Sequence, residues 1–240
     1  MRNKEEPADT SKRQNDENDA YSRVTIDRLL PGDVLLHCSA SPTKVQKEII
    51  KRTSGPYIHA SIYLGDKFIA EACLPKIQKV CLVSPKKEEG HIAVLRHQLG
   101  FDGPRPGKLL QFIEALIANG SRYDVRGAIK NPSEHQRFFD QYLGNIEKGY
   151  GISQTTDELE KRSYFCSALV VACLHVAGVI GESAQVAYPP DVFSPSDLLS
   201  DPTFGWLLGF IHADDYIVPT DDPARKITNW MDVQNASWWS

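Results

Sequence analysis

Three residues of this chain have side chains suited to breaking an acyl bond. Cys166 lies in RSYFCSALVVAC, after two aromatics and at the start of an apolar stretch. If a helix begins between Ser163 and Cys166, the thiol sits in its first turn, where unpaired N–H groups and the helix dipole favour a thiolate. Such a thiolate, helped by a histidine, is a nucleophile at neutral pH. A second reading is equally physical. Cys166 and Cys173 share one helix face, and free cysteine is among the most buried residue types. His59 opens the alternating run HASIYL, with Ala60, Ile62 and Leu64 on one face and His59, Ser61 and Tyr63 on the other. That polar face suits a cleft wall, and it also suits a partly exposed surface. Glu71 interrupts the apolar run FIAEAC. An unpaired buried carboxylate is costly, so Glu71 needs a partner such as an imidazole N–H, or a place on an exposed edge.

A geometric condition links the last two. A plain two-residue turn at Gly65-Asp66 pairs Ala60 with Glu71 and puts His59 and Glu71 on opposite faces. They share a face only if the numbers of paired residues sum to an even value, as when Ser61 lies opposite Glu71, which requires a three-residue loop or a bulge near Gly65 to Lys67.

The surrounding pattern predicts the elements that carry these residues. Pro31-Gly32-Asp33 marks a turn before the strand VLLHC, and SPTKVQKEIIKRTSG is helical with Ser41 as cap. Strands follow at 59–64, 68–73, 79–83 and 91–96, and KLLQFIEALIANG forms a helix stopped by Gly120. Residues 121–160 show no clean period. Residues 163–178 form a strong helix, Ser194-Pro195 or Ser196 starts a short capped one, and GFIHADDYIVP closes the sheet. Strands first and helices later indicate an α+β domain. The expected organisation is a disordered polar arm at 1–22, a domain at 23–220 and a tail at 221–240.

Other polar residues carry weaker signals. Asp33 reads as structural. His37 and Cys38 are strand neighbours that point to opposite faces and do not chelate together. His175 reads as packed or surface, and His91, His97, His135 and His212 show no partner pattern.

Composition limits the function classes. The 240 residues carry a net charge of −4 and are 41% hydrophobic, enough for one core and without a nucleic-acid footprint. No apolar run reaches membrane-spanning length. The first residues lack an apolar signal region, so the expected location is cytoplasmic, or outside the cell by a non-classical export machine. The five cysteines are irregularly spaced, without a CxxC pair. Reduced thiols, no metal and no cofactor are expected.

Taken together, LLPGDVLL (29–36), HASIYLGDKFIAEA (59–72), YFCSALVVACLHVAG (164–178) and FSPSDLLSDPTF (193–204) resemble the circularly permuted branch of the NlpC-type papain-like superfamily, the YiiX-like proteins. There the order is histidine, acid, cysteine, as here. The resemblance spans about residues 24–218. It implies a small, barrel-like antiparallel sheet packed on the cysteine helix. It also implies Cys166 as nucleophile, His59 as general base and Glu71 as the residue that orients the imidazole. Tyr164, Ser61, Tyr63 and Tyr123 are candidate substrate-binding residues, with Tyr164 reading equally as a core residue.

The activity so implied is hydrolysis of an amide bond through a thioester, in a small peptide or amide such as a cell-wall-type peptide with a γ-glutamyl bond. A thiol acyltransferase or lipid-ester hydrolase of the lecithin:retinol acyltransferase type is the alternative. That group has a second histidine close after the first, where this chain has Ser61 and Tyr63. A non-catalytic binding module on the same scaffold is the third reading. Nothing in the sequence identifies a protein partner.

Overall fold

The computed structural model describes residues 23–53, 55–98 and 100–230. The expected arm at 1–22 and positions 231–240 of the expected tail lie outside the described residues. Six strands form one sheet: β1 (Val34–Cys38), β2 (Tyr57–Gly65), β3 (Phe68–Cys73), β4 (Lys76–Cys81), β5 (His91–Arg96) and β6 (Trp206–His212). Their order is β4-β3-β2-β1-β5-β6, and every neighbouring pair is antiparallel. The sheet is open, with β4 and β6 at its edges, and so is not the closed barrel a barrel-like reading suggests. The outer side of β4 is covered at its start, where Lys76 bridges to Arg122 and the Ile77 N–H donates to Ser121 O at 3.2 Å, and exposed Lys79 guards the remaining edge. This strand begins three residues earlier than the alternation at 79–83 predicts, because Leu74-Pro75 suffices to turn the chain and pair Cys73 with Lys76.

The helices are α1 (Lys44–Thr53), α2 (Arg105–Ala118), α3 (Val125–Asp140), α4 (Tyr142–Gly149), α5 (Thr156–Glu160), α6 (Cys166–Val176) and α7 (Pro195–Ser200). The stretch without a clean period is therefore mostly helical. α3 carries Gly127 and Pro132 inside its span, and both weaken the local helix signal. Ser194 caps α7 in a reciprocal box with Asp197.

α6 is the central element. Every residue from Cys166 to His175 is buried, and a helix apolar on all sides belongs inside a domain. It packs on β2 and β3, with α2 and the turn at Pro190–Val192 on its other sides. The sheet meets it with Ala60, Ile62, Ala70 and Ala72, and α2 adds Leu109 and Phe112. Three of those four sheet residues are alanines, which lets the helix lie close. The opposite sheet face buries Leu35, Ile69, Ile92 and Val94 under Val24, Leu29 and Leu82.

Two polar ties hold the sheet ends. Asp33 takes both Arg96 Nε and Nη2, at 2.8 and 2.6 Å, and the Leu30 N–H at 2.9 Å. It is structural, as read from the turn. At the other end, residues 221–230 of the expected tail pack on the domain: Ala224 joins the main core and Asp222 is buried among β-strand side chains.

Candidate active site

The β2–β3 hairpin sets the site. Asp66 and Lys67 both have positive φ, 50° and 67°, and form a two-residue turn between Gly65 and Phe68. Such a turn alone would give the wrong register. Leu64 corrects it: Tyr63 pairs with Ile69 and Gly65 with Phe68, leaving Leu64 as the extra residue of a bulge. Ser61 then lies opposite Glu71, and His59 and Glu71 share a face.

The same ladder makes room for the thiol. It stops at Ser61 and Glu71, although β2 reaches back to Tyr57 and β3 runs on to Cys73. Tyr63 bonds toward β1, donating to Asp33 O at 2.9 Å and accepting from Gly32 N–H at 2.8 Å. Alternation therefore turns the Ala60 N–H toward β3. Beyond the last ladder pair, this N–H donates to the sulfur of Cys166, as does the N–H of Ser167. Cys166 is the first residue of α6, and its extended N-cap, Phe165, contributes no side-chain cap. The first amides of the helix are thus available to whatever lies at its end.

His59 sits between the thiol and the carboxylate. Its Nε2 lies 2.9 Å from Glu71 Oε2, and Gln78 donates to Glu71 Oε1 at 2.8 Å. Burial alone would lower the imidazole pKa, but hydrogen bonds to Cys166, Cys73 and Glu71 outweigh it and raise the pKa well above the ordinary value. Burial would raise the thiol of Cys166. The hydrogen bond and charge of His59, with the two amides, pull it below the ordinary value instead. The hydrogen bond from His59 holds Glu71 down at about 2. The three shifts run in one direction, each favouring the ionised form of its group: thiolate, imidazolium, carboxylate. Some side-chain surface stays open, 20% for His59 and 14% for Glu71, so solvent reaches the group.

The structure brings in three residues that sequence reading did not assign to the site. The His37 ring lies 5.1 Å from that of His59, and His37 Nε2 is 2.9 Å from Ser61 Oγ. Burial pushes His37 down to about 3, so it is neutral beside the imidazolium. Cys73 Sγ lies 3.7 Å from His59 Nε2. Gln78 is the third. All three follow from the strand pattern once register is known: His37 lies opposite His59, Cys73 shares the face of Glu71, and Gln78 lies opposite Glu71.

The four candidate substrate-binding residues separate. Tyr164 is fully buried, and its hydroxyl donates to Leu159 O at 2.7 Å. Ser61 is fully buried against His37, and Tyr63 faces the second core, its hydroxyl accepting the Lys67 N–H. Their polar atoms are engaged within the fold. Tyr123 differs. Its N–H donates to Pro75 O at 3.0 Å, and its strand-like contact with Tyr164 sets it beside the start of α6. Burial, then the nearby Cys166 and Cys73, push its phenol above the ordinary value and keep it protonated.

Among the described residues, two clusters gather metal-ligand atoms within 4.8 Å of one another: His59, Glu71 and Cys73 here, and Cys38, His91 and Asp222 elsewhere. Among the described residues no helix is long and apolar enough to cross a membrane.

No family model matches the chain. The chain is 25% identical over 193 residues to the probable lipoprotein peptidase YaeF of Escherichia coli (strain K12). The match covers 75% of this chain and 66% of that protein, just under two thirds of its length.

Proposed function

We propose that this protein is a cysteine hydrolase that cleaves an amide bond in a small peptide, with Cys166, His59 and Glu71 as its catalytic group. The carrying observation is the hydrogen-bonded series Cys166–His59–Glu71, which depresses the thiol at a helix start and raises the imidazole. The name of the similar E. coli protein supports a peptidase reading. The order histidine, acid, cysteine supports a circularly permuted papain-like domain of the NlpC type.

The chemistry follows from the geometry. The Cys166 thiolate attacks the amide carbon, and a C–S bond forms as the carbonyl π pair moves to oxygen. The backbone N–H at the start of α6 and the protonated Tyr123 hydroxyl are the nearby donors for that oxyanion. With Nε2 held by Glu71, His59 uses Nδ1 to protonate the departing amine, and the C–N bond breaks. A thioester remains. Water, deprotonated by His59, attacks it, releasing the acid and regenerating the thiolate. Acyl transfer differs only in this last step, where an acceptor other than water takes the acyl group.

The test is to incubate the full-length protein with γ-glutamyl-containing wall-type peptides and, separately, with acyl esters. Acid-quenched samples are then read for products and for acyl mass on the Cys166 peptide. The reading predicts peptide cleavage, a thioester on Cys166, and loss of both in Cys166→Ser. Ester turnover with no peptide cleavage would favour the acyltransferase or lipid-ester alternative. Cleavage that survives Cys166→Ser would overturn the mechanism.

A further inference from the structure

We propose that Cys38, His91 and Asp222 form a binding site for a borderline divalent cation of the zinc class, independent of the catalytic group. Cys38 ends β1, His91 begins β5, and Asp222 lies more than a hundred residues further along the chain. Their sulfur, nitrogen and oxygen donor atoms nevertheless lie within 4.8 Å of one another. The side chains of His91 and Asp222 are 0% and 2% exposed. Outward-facing acidic residues often cluster without binding anything, but here three donor types converge, two of them buried and the third, Cys38, half-buried.

The atoms that point away from the centre are already held. His91 Nδ1 lies 3.2 Å from the Tyr216 hydroxyl. Asp222 Oδ1 accepts from the Tyr57 hydroxyl at 2.7 Å and from the Ala224 N–H at 2.9 Å. This leaves His91 Nε2 and Asp222 Oδ2 facing each other, 2.9 Å apart, beside the thiol. Metal sites are supported in the same way: the far nitrogen of a ligating histidine and the far oxygen of a ligating carboxylate are tied to outer groups that fix their orientation.

The donor set selects the ion. Thiolate, imidazole and carboxylate together suit Zn²⁺ and its close analogue Co²⁺, whereas Mg²⁺ and Ca²⁺ take oxygen donors. A cavity of about 470 Å³, lined in part by Cys38, Ser39 and His91, borders the cluster and gives access for the ion and a water. On binding, Cys38 gives up its proton and the His91–Asp222 hydrogen bond is replaced by two bonds to the metal. The ion would clamp the 216–224 segment to the end of the sheet.

The experiment uses full-length, metal-free protein carrying Cys73→Ser and Cys166→Ser, so that the nucleophile and the thiol beside His59 cannot contribute. Co²⁺ is titrated while the sulfur-to-cobalt charge-transfer absorption is followed, and Zn²⁺ is then added. The proposal expects one Co²⁺ per chain, displacement by Zn²⁺, and loss of the band when Cys38→Ser is added. Tyr216→Phe should retain the band with about tenfold weaker binding. A missing band at excess Co²⁺, or a band that survives Cys38→Ser, would overturn it. If the Cys38→Ser protein does not fold, iodoacetamide labelling of Cys38 in the parent decides. Zn²⁺ at one equivalent should slow that labelling, and an unchanged rate would contradict the proposal.

Discussion

Two sets of cysteine, histidine and carboxylate gather against the sheet, and they treat their thiols in opposite ways. At Cys166 the imidazole stands between sulfur and carboxylate, and two backbone amides face the sulfur, so the thiol is depressed. At Cys38 burial dominates and the Asp222 charge acts on the sulfur directly, pushing that thiol up to about 12. His37 and Cys38 are adjacent in β1, and one serves each set. Residue types alone do not make a nucleophile. What matters is whether the histidine touches the thiol, and whether the thiol starts a helix or ends a strand.

The largest break in this comparison is Cys166→Ser, which should lower turnover of any substrate by about 10⁴-fold or more. Steady-state rates on the peptides above measure it. Glu71→Gln keeps the shape but removes the charge that holds Nε2, and should cost about 100-fold in kcat. Recovery in Glu71→Asp would show that charge, not packing, is responsible.

The pH behaviour sharpens the contrast. Glu71 is held at about 2 against an ordinary 4.5. It therefore contributes stability that is complete above about 4.5 and lost as pH falls toward about 2. Denaturant melts across that range should show the loss in wild type and a flatter profile in Glu71→Gln. His59 is raised, so its contribution is complete below its unfolded value and fades as pH rises through its folded one. The smallest effect belongs to the second set. Tyr57→Phe removes one of two donors to Asp222 Oδ1 and should cost about 1–2 kcal/mol of stability. The Cys166 labelling rate should not change.

Much of the site was legible in the sequence because it is local. The alternation of HASIYL and the lone carboxylate of FIAEAC define faces, and turn parity shows that a bulge is needed for His59 to meet Glu71. The bulge falls on Leu64, one residue before the predicted stretch, because Asp66 and Lys67 complete a tight turn by themselves. The apolar run after Cys166 announces a buried helix. The second set was not legible. Cys38, His91 and Asp222 are joined by the pairing of β1 with β5 and by the return of the chain after β6. No local spacing encodes that meeting. Of the two readings of Tyr164, core or cleft wall, the structure shows the first: it is two residues before the thiol, but its ring turns into the core against Phe112. The α3 helix was hidden by its own Gly127 and Pro132.

The most direct test of the central claim is the iodoacetamide labelling rate of each cysteine against pH, read by peptide mass spectrometry in wild type and His59→Ala. The account predicts that Cys166 labels fastest, with an apparent pKa below the free-thiol value of about 8.5, and that His59→Ala slows it at neutral pH. Cys173, two turns deeper in the same helix and raised by burial, should label slowly in both. A Cys166 that labels no faster than Cys173 and is indifferent to His59 would make it a core residue and contradict the catalytic reading.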